Sequence, residues 1–252
     1  MTRRLRVVGI GMGPQHVTPE AAAAIASVDY VLAFGKSEDD PLLEVRREVC
    51  RRHGDPPVVV VADPPRERAE SVVHDQAAYD DAVRGWHDER AAAYHAAIDQ
   101  HPGDLALLVW GDPSLYDSTL RIVDDLVRRG LELDVDVVPG ISSLQLLAAR
   151  HRIVLHEVGG PVHVTSGRRL REAIAAGQRN VVAMLNRSLD LAGLDDWAIW
   201  WGANLGAPGE ELAAGRVADV RGEIALARER ARAVDGWVMD LFLIRAPGGG
   251  AA

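Results

Sequence analysis

Five short aliphatic runs alternate with helix-patterned segments through the first half of the chain. The runs cover residues 5–10, 30–34, 57–61, 105–110 and 135–138, and the helical patterns cover 19–27, 41–52, 75–100 and 115–129. Strands that are apolar on both faces must be covered on both, and parallel neighbours need a crossover, which the helices supply. The expected fold class is therefore α/β, with a parallel sheet in this half. The first helix is well marked, with Thr18 as N-cap, Pro19 at the first helical position and Glu20 next.

After "VVPGISSLQLLAARHRI" the pattern changes. Strands are expected at 162–165, 180–185, 197–202 and 237–244, joined by shorter or irregular pieces, the last strand being long. A mixed sheet with antiparallel members suits this half. The boundary is expected near 153–160, giving an N-terminal α/β domain over 1–152 and a C-terminal α/β domain over 153–252. No long linker lies there, so the two halves are expected to pack closely and leave a cleft.

The 252 residues suffice for a real core, and the net charge of −9 argues against non-specific nucleic-acid binding, which needs a basic surface. Cys50 is the only cysteine, so no internal disulfide can form. No metal-ligand spacing is visible, and no metal is expected. The N-terminal basic residues are followed by too short an apolar run for a secretory signal. Nothing approaches the roughly 20 apolar residues of a membrane helix. These features lead us to expect a soluble, cytoplasmic protein with no nucleic-acid or membrane partner.

The first strand runs into Gly9-Ile10-Gly11-Met12-Gly13-Pro14. A dinucleotide loop has the order G-x-G-x-x-G with its third glycine inside the next helix. Here the helix waits until Pro19, too far for its free N–H groups to meet a phosphate on the glycines. Lys36 also stands where a nicotinamide enzyme places its ribose-binding acid. An oxidoreductase is disfavoured. Two readings remain: a tight turn of small residues, or a loop kept bare so that a ligand can lie against its backbone.

"VWGDPSLYDSTL" ends the fourth strand and "VVPGISSLQLLAARHRI" follows the fifth. Each alone could be a structural turn. All three loops lie at carboxyl ends of parallel strands, where open α/β sheets bind ligands. Together, G-x-G-x-G-P, G-D-P and P-G-I-S-S resemble the tetrapyrrole methylase family, and "VVAMLN" and "WWGANLG" extend the match through the second half. Gln15-His16 depart from the pattern, since many members have Gly after the loop proline.

The resemblance implies two α/β domains with S-adenosylmethionine in the cleft, leaving as S-adenosylhomocysteine, and a homodimer. Carried over by motif, the cofactor contacts are Pro14, Gly111, Asp112, Leu115, Ser142, Ser143, Met184, Leu185, Gly202 and Ala203. Gly11 and Gly13 of the bare loop and Tyr116 complete the set. Longer runs such as "VRGWHDERAAAYHAAI" and "PVHVTSGRRL" imply a member that methylates C-1 of precorrin-5 and expels the C-20 acetyl group as acetate. Methyl transfer needs alignment more than a base. Loss of acetyl is different, because water must attack a carbonyl. His151, Asp112 and Tyr116 are the catalytic candidates, with His16 and Asp117 nearby.

The substrate's carboxylates call for cations at the same edge. His16, Lys36, Arg150 and Arg152 are the candidates for holding it, with Arg168, Arg169 and Arg171 further along. Trp86 and His87 belong to a matched run but have no evident chemical role. Alternatives are a methyltransferase of the same fold acting on another precorrin, a protein or RNA, and a ligand-binding protein without turnover.

Overall fold

The structure, a computed structural model, describes residues 2–35, 40–64, 76–236 and 238–248. The chain divides into two compact units, Met1–Ile141 and Ser142–Ala252.

In the first unit, β1 (Arg3–Gly9), β2 (Tyr30–Gly35), β3 (Val58–Ala62), β4 (Leu105–Val109) and β5 (Leu133–Val138) form a sheet of order β3-β2-β4-β1-β5. Every pairing in it is parallel, as expected. The period-two alternation feeds two cores. Leu5, Val7, Leu105, Leu107 and Val109 face α3 (Gln76–Gln100) and α4 (Thr119–Arg128). Val8, Ile10, Ala106 and Leu108 face α1 (Pro19–Ala26) and α2 (Pro41–Arg52). The Thr18 hydroxyl caps α1 by accepting from the Ala21 N–H at 3.1 Å. From β1 the chain crosses to β2 on one side, and from β4 to β5 on the other. The topological switch point therefore lies between β1 and β4, where a ligand crevice is expected.

Two expectations are corrected here. The helix expected over 115–129 begins only at Thr119: Tyr116 is left-handed (φ 50°), and the Asp117 carboxylate takes the Thr119 N–H at 2.6 Å. Residues 115–118 stay in the loop. The fifth strand is not covered on both faces either. It is an edge strand with Val135 and Val137 exposed, and its Asp136 pairs with Arg6 at 2.7 Å.

The second unit opens with α5 (Ser143–His151), which packs on β8 (Ala198–Ala203) and β10 (Asp240–Arg245). The division thus falls before this helix, whereas the sequence reading drew it after Arg152. β6 (His163–Ser166), β7 (Asn180–Met184) and β9 (Glu211–Arg216) complete a sheet of order β6-β7-β10-β8-β9. β6 and β7 are parallel and the other pairings antiparallel, so the sheet is mixed, as expected. Besides α6 (Leu170–Ala175), a 19-residue helix α7 (Val217–Asp235) crosses this sheet where irregular pieces were expected. Its Val217, Val220, Ile224, Ala227 and Ala231 recur at helical spacing and join the Trp201–Phe242 core. β9 was not foreseen, and the last strand is shorter than expected, starting at Asp240; residue 237 lies outside the described residues.

Candidate functional site

At the carboxyl edge of the first sheet, the loops after β1 and β4 join by an antiparallel bridge between Gly11 and Gly111. Gly111 N–H donates to Gly11 O at 2.9 Å, and Gly11 N–H donates back at 3.2 Å. The loop after β5 presses on this junction. A Cβ on Gly9 would sit 2.6 Å from the Gly140 nitrogen, and one on Gly140 would run into the Gly111 carbonyl. Gly11 is left-handed (φ 69°), and its missing Cβ would lie 2.6 Å from His16 Cβ. Gly13, at φ 135° and ψ 168°, occupies a region open only to glycine, immediately before the single 3-10 turn Pro14–His16. The glycines therefore serve the backbone first: at Gly9, Gly11 and Gly140 the bare space is filled by the protein's own loops.

Asp112 locks the junction. One carboxylate oxygen accepts the Ser114 N–H (2.8 Å) and the Ser114 hydroxyl; the other accepts the Gly140 N–H at 2.9 Å. Partial burial works to raise its pKa, but the hydrogen bonds from Ser114 and Gly140 outweigh it and hold the carboxyl below its usual value. An anion held this way ties loops together and is a weak base. Leu115 follows in the same loop, and Tyr116 presents a half-exposed ring from its left-handed backbone. Two buried nitrogens beside the junction, His16 Nδ1 and Trp110 Nε1, have no hydrogen-bond partner among the described residues. Polar atoms left short of partners at a topological switch point suit a ligand with several hydrogen-bonding groups.

In the second unit the ends of β7 and β8 lie at one sheet edge, with Ala183 opposite Phe242 and Ala203 opposite Asp240 of the intervening strand. Met184 is buried, but Leu185 is left-handed (φ 57°) with its side chain 64% exposed. A strained residue presenting an apolar side chain to solvent is a mark of a contact surface. The turn has a buried anchor. Asp240 accepts from Arg228 Nε at 2.9 Å and Trp201 Nε1 at 3.1 Å, and Arg228 Nη2 donates to the carbonyls of Asn186 (2.9 Å) and Arg187 (3.0 Å). Burial raises the Asp240 pKa against the pull of Arg228. Sequence reading missed this anchor, because its members lie far apart along the chain. Gly202 is closed in by Leu205 and Leu147, and Ala203 is fully buried.

Ser142 N-caps α5 in a capping box with Gln145, so its oxygen is engaged in starting the helix; Ser143 is the first helical residue. Nine helical residues rise about 13 Å, so Arg150, His151 and Arg152 all stand at the far end of α5 from this cap. Arg150 is paired with Glu210 at 2.6 Å, and Arg152 forms the left-handed C-cap. His151 Nε2 donates to the Trp201 carbonyl at 2.9 Å, which leaves Nδ1 of the neutral ring as the acceptor. Arg169 pairs with Glu172 and Arg171 with Asp190 on the surface. Lys36 lies outside the described residues. Among the described residues no helix is long and apolar enough to cross a membrane, and no group of three His, Cys, Asp or Glu could hold a metal ion.

The family model described as Tetrapyrrole (Corrin/Porphyrin) Methylases matches residues 4–221. The chain is 41% identical to a protein named precorrin-6A synthase [deacetylating] from Sinorhizobium sp., over 96% of this chain and 95% of the relative. A crystal structure of a cobalamin-synthesis-related protein (CobF) from Corynebacterium diphtheriae is similar at 34% identity and a TM-score of 0.81, covering 97% of this chain and 99% of that one. The uroporphyrin-III-C-methyltransferase of Thermus thermophilus shares the fold, with a TM-score of 0.57 at 20% identity over 97% of this chain and 93% of its own.

Proposed function

The chain belongs to the tetrapyrrole (corrin/porphyrin) methylases, and on that premise we propose that it is an S-adenosylmethionine-dependent C-methyltransferase of corrin synthesis. Its reaction is methylation of precorrin-5 at C-1, with loss of the C-20 acetyl group as acetate, to give precorrin-6A. The 41% identity to a precorrin-6A synthase [deacetylating] supports this choice of reaction. The observation that carries the reading is the Gly11–Gly111 bridge with Asp112 fastened to Gly140, which builds three family loops into one rigid edge at the switch point.

The residues proposed to hold the cofactor are Gly11, Gly13, Pro14, Gly111, Leu115, Tyr116, Ser142, Ser143, Met184, Leu185, Gly202 and Ala203, with Asp112 fixing the loops. Bound S-adenosylmethionine supplies a methyl group already activated by its sulfonium. What the chain must add is alignment and the exclusion of water from that step. Acetyl loss needs a proton acceptor. Asp112 is committed to loop hydrogen bonds, so we assign the role to His151, whose Nδ1 would take a proton from the water that attacks the acetyl carbonyl. The C–C bond between the acetyl carbonyl and the macrocycle then breaks, acetate leaves, and the bonding pair stays with the macrocycle, where it neutralises the positive charge brought in with the methyl group. His16 is kept as a substrate contact; Arg150 would have to release Glu210 to serve as one. We place the enzyme in the cytoplasm, and we propose that it is a homodimer, the exposed valines of edge strand β5 being a surface such a contact would cover.

The test separates the two half-reactions. With precorrin-5 and S-adenosylmethionine, the His151→Asn variant should keep its KM but accumulate a methylated, still acetylated product. Acetate release at the wild-type rate would remove His151 from the mechanism.

A further inference from the structure

Near the carboxyl ends of the neighbouring strands β2 and β4, two helices from opposite faces of the first sheet each deliver a polar group. From α2, Arg46 donates through Nε to the Leu108 carbonyl (3.0 Å) and through Nη1 to Leu42 of its own helix (3.2 Å). Both of these acceptors are backbone carbonyls, and burial pulls its pKa down against the influence of Tyr94, Asp40 and Asp117. Those two acids are engaged with backbone: Asp40 caps α2, and Asp117 takes the Thr119 N–H. From α3, Trp86, Arg90 and Tyr94 follow at four-residue steps and so share one face.

Arg90 is immobilised. It donates to Asp63 at 2.7 Å and lies 4.2 Å over the Phe34 ring and 4.1 Å over the Trp86 ring. Tyr94 stacks on Phe34 with centroids 4.0 Å apart. The stack fixes the phenol, yet the Tyr94 hydroxyl, on a residue only 7% exposed, has no hydrogen-bond partner among the described residues. Arg46 reaches a carbonyl of β4 and Tyr94 stacks on the last apolar residue of β2, and these two strands are neighbours in the sheet. The cluster therefore offers two donors with no acceptor among the described residues, Arg46 Nη2 and Tyr94 Oη, neither of them sealed from solvent, at the sheet edge where this class of fold binds ligands.

We propose that Arg46 and Tyr94 form a carboxylate-binding site that holds one acid side chain of the tetrapyrrole, with the Phe34–Tyr94 stack and the Arg90–Asp63 pair fixing its geometry. This gives Trp86 and its run a role in building the site. The proposal rests on the preceding functional reading only for the source of the carboxylate, which is the macrocycle and not the amino-acid end of the cofactor.

The probe is uroporphyrin, a porphyrin octa-acid, followed by quenching of tryptophan fluorescence, with its octamethyl ester as the uncharged control. The wild-type protein should bind the acid and not the ester. Tyr94→Phe, which keeps the stack, and Arg46→Lys, which keeps the charge but loses the fork, should each weaken binding at least about fivefold, and the pair of changes more than tenfold. Affinity for S-adenosylhomocysteine, measured by calorimetry on the same variants, should stay within about twofold. Variants that unfold at the wild-type temperature yet bind the octa-acid normally overturn the proposal, as does a wild-type protein that ignores it. Loss of S-adenosylhomocysteine affinity with unchanged porphyrin binding overturns it too, by giving the carboxylate to the cofactor. Failure to turn over precorrin-5 while these binding results hold would instead count against the functional reading alone.

Discussion

Asp112 shows how one side chain can tie the loops of a candidate site together. Its carboxylate joins the β4 loop to Gly140, and its pKa lies below the usual 3.8 because Ser114 and Gly140 favour the ionised form. A depressed folded-state value means that its contribution is present above the unfolded pKa and is lost as pH falls through the lower folded one. Asp112→Asn should therefore be less stable than wild type by about 1 kcal/mol at neutral pH, the group being partly exposed. That gap should close in acid, as pH falls below the ordinary aspartate range and through the lower folded-state value. Urea denaturation of both proteins at pH 7 and in acid measures it, and a gap that persists in acid would show that the charge is not the cause. The G-D-P motif made this residue visible in the sequence. Its role was less legible, because the Gly140 partner comes from another loop. The same limit explains Arg46 and Tyr94, whose meeting depends on how two helices cover opposite faces of a sheet.

The legibility of each element follows from its packing. α2 begins with Asp40 and Pro41 and was read to the residue, because its cap chemistry is local. β5 was found but misjudged, since Asp134 and Asp136 alternate with its valines and only an edge position tolerates both faces open. α7 was missed because its arginines and glutamates mask a narrow stripe of Val, Ile and Ala. That helix carries Arg228, the cation beneath the Leu185 turn. Arg228→Met would leave Asp240 buried without its counter-charge, at a cost of about 3–5 kcal/mol, and should weaken S-adenosylhomocysteine binding as the turn loosens. Arg230 of the same helix pairs with Glu211 on the surface, so Arg230→Gln should leave stability almost unchanged and binding intact. Denaturation and calorimetry on both variants test this. Equal effects would mean that helix charge in general, not the buried anchor, supports the turn.

The molecule as a whole consists of two sheets with separate cores, each bringing its functional loops to one edge. The three glycine-bearing loops make that plan readable in the sequence, because glycine and proline turns at strand ends leave a local signature. The reaction was readable only through resemblance, since the residues that would hold a large anionic macrocycle are scattered along the chain. An enzyme of net charge −9 must bind a polyanion through local pockets rather than through its overall field. The central claim is that one active site both methylates and deacetylates. Incubation of the wild-type protein with precorrin-5 and methyl-labelled S-adenosylmethionine tests it, with the corrinoid read by mass spectrometry and free acetate counted enzymatically. The account predicts one labelled methyl gained and one acetate released for each S-adenosylhomocysteine formed. Labelled product that keeps its acetyl group, with no acetate in solution, would contradict it.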